Sequence, residues 1–216
     1  MNITRLILGP LQVNTYIVSG EGECLVVDPG DCTGVLASTS RLQCTSIVIA
    51  VTHGHFDHIA GVDCLVERAR AILAAHPQEP RVAEASITMA SMVLGLSGIK
   101  QESRPDIELV EGSVLEAAGL RLKVYHTPGH SPDHLVLHDP KARVAFVGDL
   151  VFQGSIGRVD IPGSNPQDMV RSINRVKSEL DPETRLLPGH GDETTMRDEL
   201  LYNPFLKRPE LILEWY

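Results

Sequence analysis

The sequence predicts an α/β protein, and three observations carry that prediction. Short apolar runs rich in β-branched residues recur along the chain, at 24–28, 46–51, 120–125, 143–147 and 185–187. Patterns of helical period follow several of them. Four strand ends carry histidine or aspartate, near Thr52, His126, Asp149 and His190. Side chains so far apart in sequence converge if those tips share one sheet edge. No low-complexity stretch or interdomain linker interrupts the 216 residues, so one domain spanning 1–216 is expected.

Taken in order, 3–8 alternates apolar and other residues and 15–18 is β-rich, with Gly9-Pro10 and 19–22 as turns. The run 24–28 is a strand closed by Asp28-Pro29-Gly30, and 46–51 reads as a buried strand. Val62, Leu65, Val66, Ala69, Ile72 and Leu73 then recur at helical spacing, a core-facing stripe that Pro77 and Pro80 end. A second apolar stretch, 83–99, places Met89, Met92, Val93 and Leu96 on one side. It reads as a helix over the core, or as a flank of a ligand pocket shaped by adaptable methionines. Leu120, Leu122 and Val124 alternate with polar partners in a half-exposed strand. The runs 134–138 and 143–147 pair around Asp139-Pro140, and the second delivers Gly148-Asp149. The glycine-rich 154–157 suits close approach of backbone to a ligand. Asn165-Pro166 opens a helix whose buried face is Met169, Val170, Ile173, Val176 and Leu180. A last short strand at 185–187 leads to Pro188-Gly189-His190-Gly191, and a closing helix covers about 194–202.

Composition sets bounds. The formal charge is −9 with no Lys/Arg run, which argues against a nucleic-acid or anionic-membrane partner. Apolar residues make up 43%, enough for a core, and no apolar run reaches membrane-spanning length. The first residues lack the apolar core of a secretion signal, so a cytoplasmic protein is expected. Cys24, Cys32, Cys44 and Cys64 form no C-x-x-C pair and are expected as free thiols.

The densest chemistry lies in T-H-G-H-F-D-H-I-A-G, at 52–61, where His53, His55, Asp57 and His58 stand in the spacing H-x-H-x-D-H. Imidazole and carboxylate are good donors to Zn, Fe or Mn. Two histidines one residue apart at a strand end can face one ion, and Asp57 and His58 a second. A further cluster, 126–134, holds His126, His130 and His134 on a loop tightened by Pro and Gly. Neither a G-x-S-x-G nor a Walker pattern competes.

The segment T-H-G-H-F-D-H resembles the signature of the metallo-β-lactamase superfamily. That resemblance implies a four-layered αβ/βα sandwich. Of the second cluster it selects His130, in T-P-G-H, as a ligand, leaving His126 and His134 beside strands or behind the ligands. It implies that His53, His55 and His130 hold one ion, that Asp57, His58 and His190 hold another, and that Asp149 bridges. Asp28 would support them through hydrogen bonds. Seven donors exceed one tetrahedral zinc and suit two ions about 3.5–4 Å apart. Zinc is the expected metal, with iron or manganese as alternatives. A bridging hydroxide would then be the nucleophile, with Asp57 a catalytic ligand.

Gly148-Asp149, the segment 154–160, Gly189-His190-Gly191 and Asn203-Pro204-Phe205-Leu206 are similar to the glyoxalase II-like branch, whose members hydrolyse 2-hydroxyacylglutathione thioesters. A small thioester, with glutathione as carrier, is the implied substrate, and Arg158 the residue that would grip it, in a monomer or small homo-oligomer. The chain departs from that branch in three ways: it ends soon after Phe205 without a basic helical domain, it has Arg158 where Lys is frequent, and it has Val159 for the more usual Thr. A mononuclear-iron persulfide dioxygenase and a lactonase share the metal core and stand as alternatives.

Overall fold

The computed structural model describes residues 2–215 and divides them between two six-stranded sheets. The first half contributes β1 (Asn2–Leu8), β2 (Val13–Gly20), β3 (Glu23–Val27), α1 (Cys32–Arg41), β4 (Ser46–Ala50), α2 (Phe56–Ile59), α3 (Val62–Ala69), β5 (Ile72–Ala75), α4 (Glu79–Leu94) and β6 (Ile107–Glu108). The second half contributes β7 (Val114–Ala117), β8 (Leu120–His126), β9 (Leu135–Asp139), β10 (Val144–Gly148), a small hairpin of β11 (Val151–Phe152) and β12 (Ser155–Ile156), and α5 (Pro166–Glu179). It closes with β13 (Arg185–Pro188), β14 (Thr194–Thr195), α6 (Met196–Tyr202), α7 (Pro204–Lys207) and α8 (Leu211–Trp215). The sheets run β1-β2-β3-β4-β5-β6 and β14-β13-β10-β9-β8-β7. From β3 to β6 successive strands pair in parallel, and β10 pairs in parallel with β13.

The period-2 geometry of a strand explains the layering. On β3, Leu25 and Val27 join a core shared by both sheets, while Cys24 and Val26 face the helices. On β10, Val144 and Phe146 join the shared core, while Ala145 and Val147 pack with Met169, Ile173 and Val176 of α5. Strands buried on both faces read as continuous apolar runs, which is how 24–28, 46–51 and 143–147 read. The result is the expected four layers, helix–sheet–sheet–helix.

Several local expectations are corrected. Ile72 and Leu73 belong to β5 rather than to the helix before it. That helix stops at Arg70, whose left-handed φ of 51° turns the chain into the strand. Pro80 ends nothing: it lies in the first turn of α4, where its missing N–H is harmless. α4 stops at Gly95 (φ 67°), short of Ile99. The helix α1 carries no strong apolar period and went unpredicted; its start is capped by the Asp31 carboxylate, which accepts the Gly34 N–H at 2.8 Å.

The cysteines are paired, not free. Cys24–Cys44 and Cys32–Cys64 have Cα atoms 5.7 and 5.9 Å apart, within the span a disulfide accepts. Sequence spacing carried no trace of this, because the pairs meet only once β3 lies beside β4, which Cys44 precedes, and α1 lies against α3. No helix among the described residues is long and apolar enough to cross a membrane.

Candidate metal centre

All seven predicted donors meet at the edge where strand ends of both sheets come together. The loop after β4 and the short α2 deliver His53, His55, Asp57 and His58; the β8–β9 connection delivers His130; β10 ends at Asp149, and β13 at His190. They form three overlapping groups whose donor atoms lie within 4.8 Å of one another: His53–His55–His130, His53–His58–Asp149, and Asp57–His58–His190. Two glycines make this crowding possible. A Cβ on Gly54 would stand 2.7 Å from the Glu79 carbonyl oxygen and 2.9 Å from the Ala83 nitrogen. A Cβ on Gly189 would collide with Asp149 and His58.

In the first group, His55 Nδ1 lies 3.0 Å from His53 Nε2 and 2.9 Å from His130 Nε2. The outer hydrogen bonds fix which nitrogens are bare. Thr52 donates its hydroxyl proton to Asp28 Oδ2 (2.7 Å), so its oxygen accepts from His53 Nδ1 at 3.1 Å. His130 Nδ1 donates to the Arg158 carbonyl at 2.8 Å. Both Nε2 atoms therefore point inward as lone pairs. Burial pushes the pKa of His53 and His55 well below the ordinary histidine value, with neighbouring imidazoles adding to it for both. His130 moves the same way, burial again prevailing, against the Asp149 carboxylate. Three neutral imidazoles converging on one point could hold a cation.

The second group is held differently. Asp28 sits behind it, accepting the Thr52 N–H (2.7 Å), the Thr52 hydroxyl and His58 Nδ1–H (2.9 Å). His58 Nε2 then faces Asp57 Oδ2 at 3.7 Å and Asp149 Oδ1 at 3.5 Å. His190 Nε2 lies 3.1 Å from Asp57 Oδ2 and 3.7 Å from Asp149 Oδ2. Burial lowers the pKa of His58, but the carboxylates of Asp57, Asp149 and Asp28 outweigh it and raise the value to about 10. For His190 burial is likewise outweighed, by Asp57 and Asp149. Burial raises the Asp57 pKa, yet His58 and His190 hold it well below the usual carboxylate range. A cation arriving here displaces imidazole protons.

Asp149 joins the two groups. Its Oδ1 faces His58, and its Oδ2 faces His130 (3.5 Å) and His190. His58 Nε2 and Asp149 Oδ1 are buried atoms with no hydrogen-bond partner. An unpartnered buried imidazole nitrogen beside an unpartnered carboxylate oxygen is a costly arrangement that a cation relieves. The donor set therefore fits a dinuclear centre, of imidazole and carboxylate ligands that Zn, Fe and Mn all accept.

His134 stands behind the ligands, one of the two places expected for it, while sequence reasoning missed the roles of Asp133, Asn14 and Tyr16. His134, neutral because burial pushes its pKa far down, accepts the Asp149 N–H at Nε2 (3.1 Å) and turns Nδ1 to Thr127 (2.9 Å). Asp133 accepts the Gly54 N–H at 2.7 Å, tying the two histidine loops together. Asn14 donates to the carbonyls of Pro188 (3.0 Å) and Gly191 (2.8 Å), and Tyr16 donates to that of Pro188 (3.0 Å), so the His190 loop is clamped from the other sheet. The only signal for Asn14 was an amide inside a strand of otherwise core-facing residues. Arg158 lines the cleft, but its guanidinium donates to both carboxylate oxygens of Asp160, at 2.7 and 2.9 Å.

The cluster floors a cleft of about 660 Å³. Ser86, Met89, Ala90, Val93 and Leu94 of α4 form one wall; Phe152, Ile156 and Ile161 also line the cleft.

Fold and site together define a metallo-β-lactamase-type scaffold. The sequence profile of the metallo-beta-lactamase superfamily matches residues 8–190, and the chain belongs to that family. It is 28% identical over 208 residues to the hydroxyacylglutathione hydrolase GloC of Haemophilus influenzae, covering 95% of this chain and 98% of that protein. Among solved structures it is similar to the B3 metallo-beta-lactamase BLEG-1, with 32% identity, TM-score 0.85, and 95% and 99% of the two chains covered. It is also similar to TTHA1623 in a di-iron-bound form, with 39% identity, TM-score 0.81, and 94% and 99% covered. The family supports a metal-dependent hydrolase acting on a small molecule.

Proposed function

We propose that the protein hydrolyses thioesters, with S-2-hydroxyacylglutathione the first substrate to test. The observation that carries this reading is Asp149, whose two carboxylate oxygens face the two histidine groups at the floor of an open cleft. Two divalent cations held there would supply an acidified water and an electrophilic grip on a carbonyl oxygen, and a thiolate leaving group would suit such soft-tolerant metals. His53, His55 and His130 would hold one cation, Asp57, His58 and His190 the other. Asp28 keeps the His58 proton on Nδ1, and the Arg158 carbonyl keeps that of His130 on Nδ1, so neither ring can turn its N–H inward. Asp57 is proposed to hold the attacking water by a hydrogen bond to its carboxylate. The apolar walls limit bulk water around the scissile bond. Arg158 is proposed to reach a carboxylate of the substrate from the cleft rim, in exchange with Asp160. The GloC relative, a hydroxyacylglutathione hydrolase by name, supports the substrate class. The test is a panel of acylglutathiones, a lactone, a β-lactam and glutathione persulfide, assayed for thiol release, ring opening and oxygen uptake. Thiol release without oxygen uptake is expected. Oxygen uptake on the persulfide, or ring opening alone, overturns the proposal.

A further inference from the structure

We infer that the substrate carries an apolar chain on one side of the scissile bond, lying along the α4 wall of the cleft. The inference rests on the thioester reading above and narrows it. Ser86, Met89, Ala90 and Val93 fall at i, i+3, i+4 and i+7, one face of the helix. The far end of that face meets the cleft instead of the core, and Val93 is left 71% exposed and Leu94 52%. Phe152 and Ile156 line the same cleft. An apolar helix face left open on the rim of a site, with further apolar residues lining it, marks a groove for apolar ligand rather than ordinary surface. Polar recognition is sparse there. Among the described residues lining the cleft, Arg158 is the one lysine or arginine, and Asp160 holds its guanidinium through two nitrogens. Each methylene laid along this face of α4 leaves water.

Fully burying a methylene is worth about fourfold in binding, and a half-open groove gives about twofold. The experiment uses two series on the metal-loaded protein: straight-chain acyl thioesters of one thiol, and acetyl thioesters of straight-chain alkanethiols. The specificity constant kcat/KM is expected to climb about 2- to 4-fold per methylene in one series, which assigns the chain to the acyl or the thiol side. Val93→Asp flattens that climb; Met92→Asp, on an exposed neighbour outside the cleft lining, leaves it intact. Flat series on both sides, or a climb indifferent to Val93→Asp, overturn the inference. Should no thioester be cleaved, the thioesterase reading fails by itself. Calorimetric titration with straight-chain carboxylic acids of increasing length then decides the apolar groove: affinity rising with length and lost in Val93→Asp supports it, and affinity independent of length overturns it.

Discussion

Asp28→Asn isolates the layer behind the ligands. Asp28 is 2% exposed, has a left-handed φ of 51°, and accepts three hydrogen bonds: two from Thr52 and one from His58 Nδ1. Asparagine is nearly isosteric and tolerates that backbone region, so the substitution adds no backbone strain. It does replace one acceptor oxygen with an amide that donates. With the carbonyl oxygen kept on the Thr52 N–H, the amide lands between the Thr52 hydroxyl and His58 Nδ1. His58 then accepts at Nδ1 and carries its proton on Nε2, the atom that faces Asp57 and Asp149. Removing such an outer partner costs about 10- to 100-fold in metal affinity, or about 1.4–2.7 kcal/mol. The loss should fall on the second cation, because His58 is the ring that Asp28 holds. The first group is buffered, because the Thr52 hydroxyl can reorient and still accept from His53 Nδ1. The assay is competition against a chelator, followed by metal counting for each equivalent. Two affinities that fall together, or that stay within about threefold of wild type, refute the reasoning.

Elemental analysis of the metal-loaded protein should find two cations per chain; a ceiling of one removes the dinuclear mechanism. Asp57→Ala is expected to lower kcat by about 10²-fold or more, since the carboxylate belongs to the second group alone; near-normal turnover with full metal content goes against it. Arg158→Met is expected to raise KM about fivefold for a carboxylate-bearing thioester and not for a neutral one, a modest effect because its guanidinium is exposed and already paired; equal losses on both leave it a structural residue. Glu79 is fully buried, and burial, reinforced by Asp133, lifts its pKa to about 8 against the opposing Arg104 and Gln101. A carboxyl raised in the folded state stabilises below its unfolded pKa, and that contribution fades as pH rises through the folded one. Melting scans between about pH 5 and pH 8.5 should therefore show wild type losing ground to Glu79→Gln as pH rises, and parallel curves contradict the assignment.

The parts of the fold legible in sequence were those where one physical signal dominated. Strands buried on both faces, such as β3, β4 and β10, announce themselves as apolar runs. The helix α5 announces itself through its Asn165 cap, Pro166 and an apolar stripe. The boundary at Arg70 was hidden because Ile72 and Leu73 happen to continue the helical period of Val62 and Leu65, and only tertiary pairing with β4 decides them. The disulfides were illegible for a similar reason: their Cα separations are set by how β3 meets β4 and how α1 meets α3. At the site, the H-x-H-x-D-H spacing and the His or Asp at strand ends stood out by themselves, while the choice of His130 from its cluster came from the family resemblance. The residues that aim those donors did not stand out. Thr52, Asp133 and Asn14 are common polar residues whose role appears only when a partner from 24 or more positions away is brought beside them.

Those supports also explain how a cluster of like-natured donors survives in the folded chain. Two imidazole nitrogens each about 3 Å from His55 Nδ1, and a carboxylate oxygen with no partner, oppose folding when no cation is present. The opposing work is done by bonds anchored in regular structure. Asp28 at the end of β3 and Thr52 at the end of β4 hold two imidazoles; His134 before β9 holds the Asp149 amide; Asn14 and Tyr16 on β2 hold the loop after β13. The last contact is the informative one, because it crosses from one sheet to the other. His190 completes the second group only if the two sheets sit in register, so the geometry of that group reports on the packing of the shared core. The second cation site is therefore the one that feels substitutions on β2 that loosen the His190 loop. Tyr16→Phe, which deletes the 3.0 Å bond to Pro188 and little else, is expected to weaken the second cation severalfold while sparing the first. Equal effects on both sites in the chelator assay contradict this coupling.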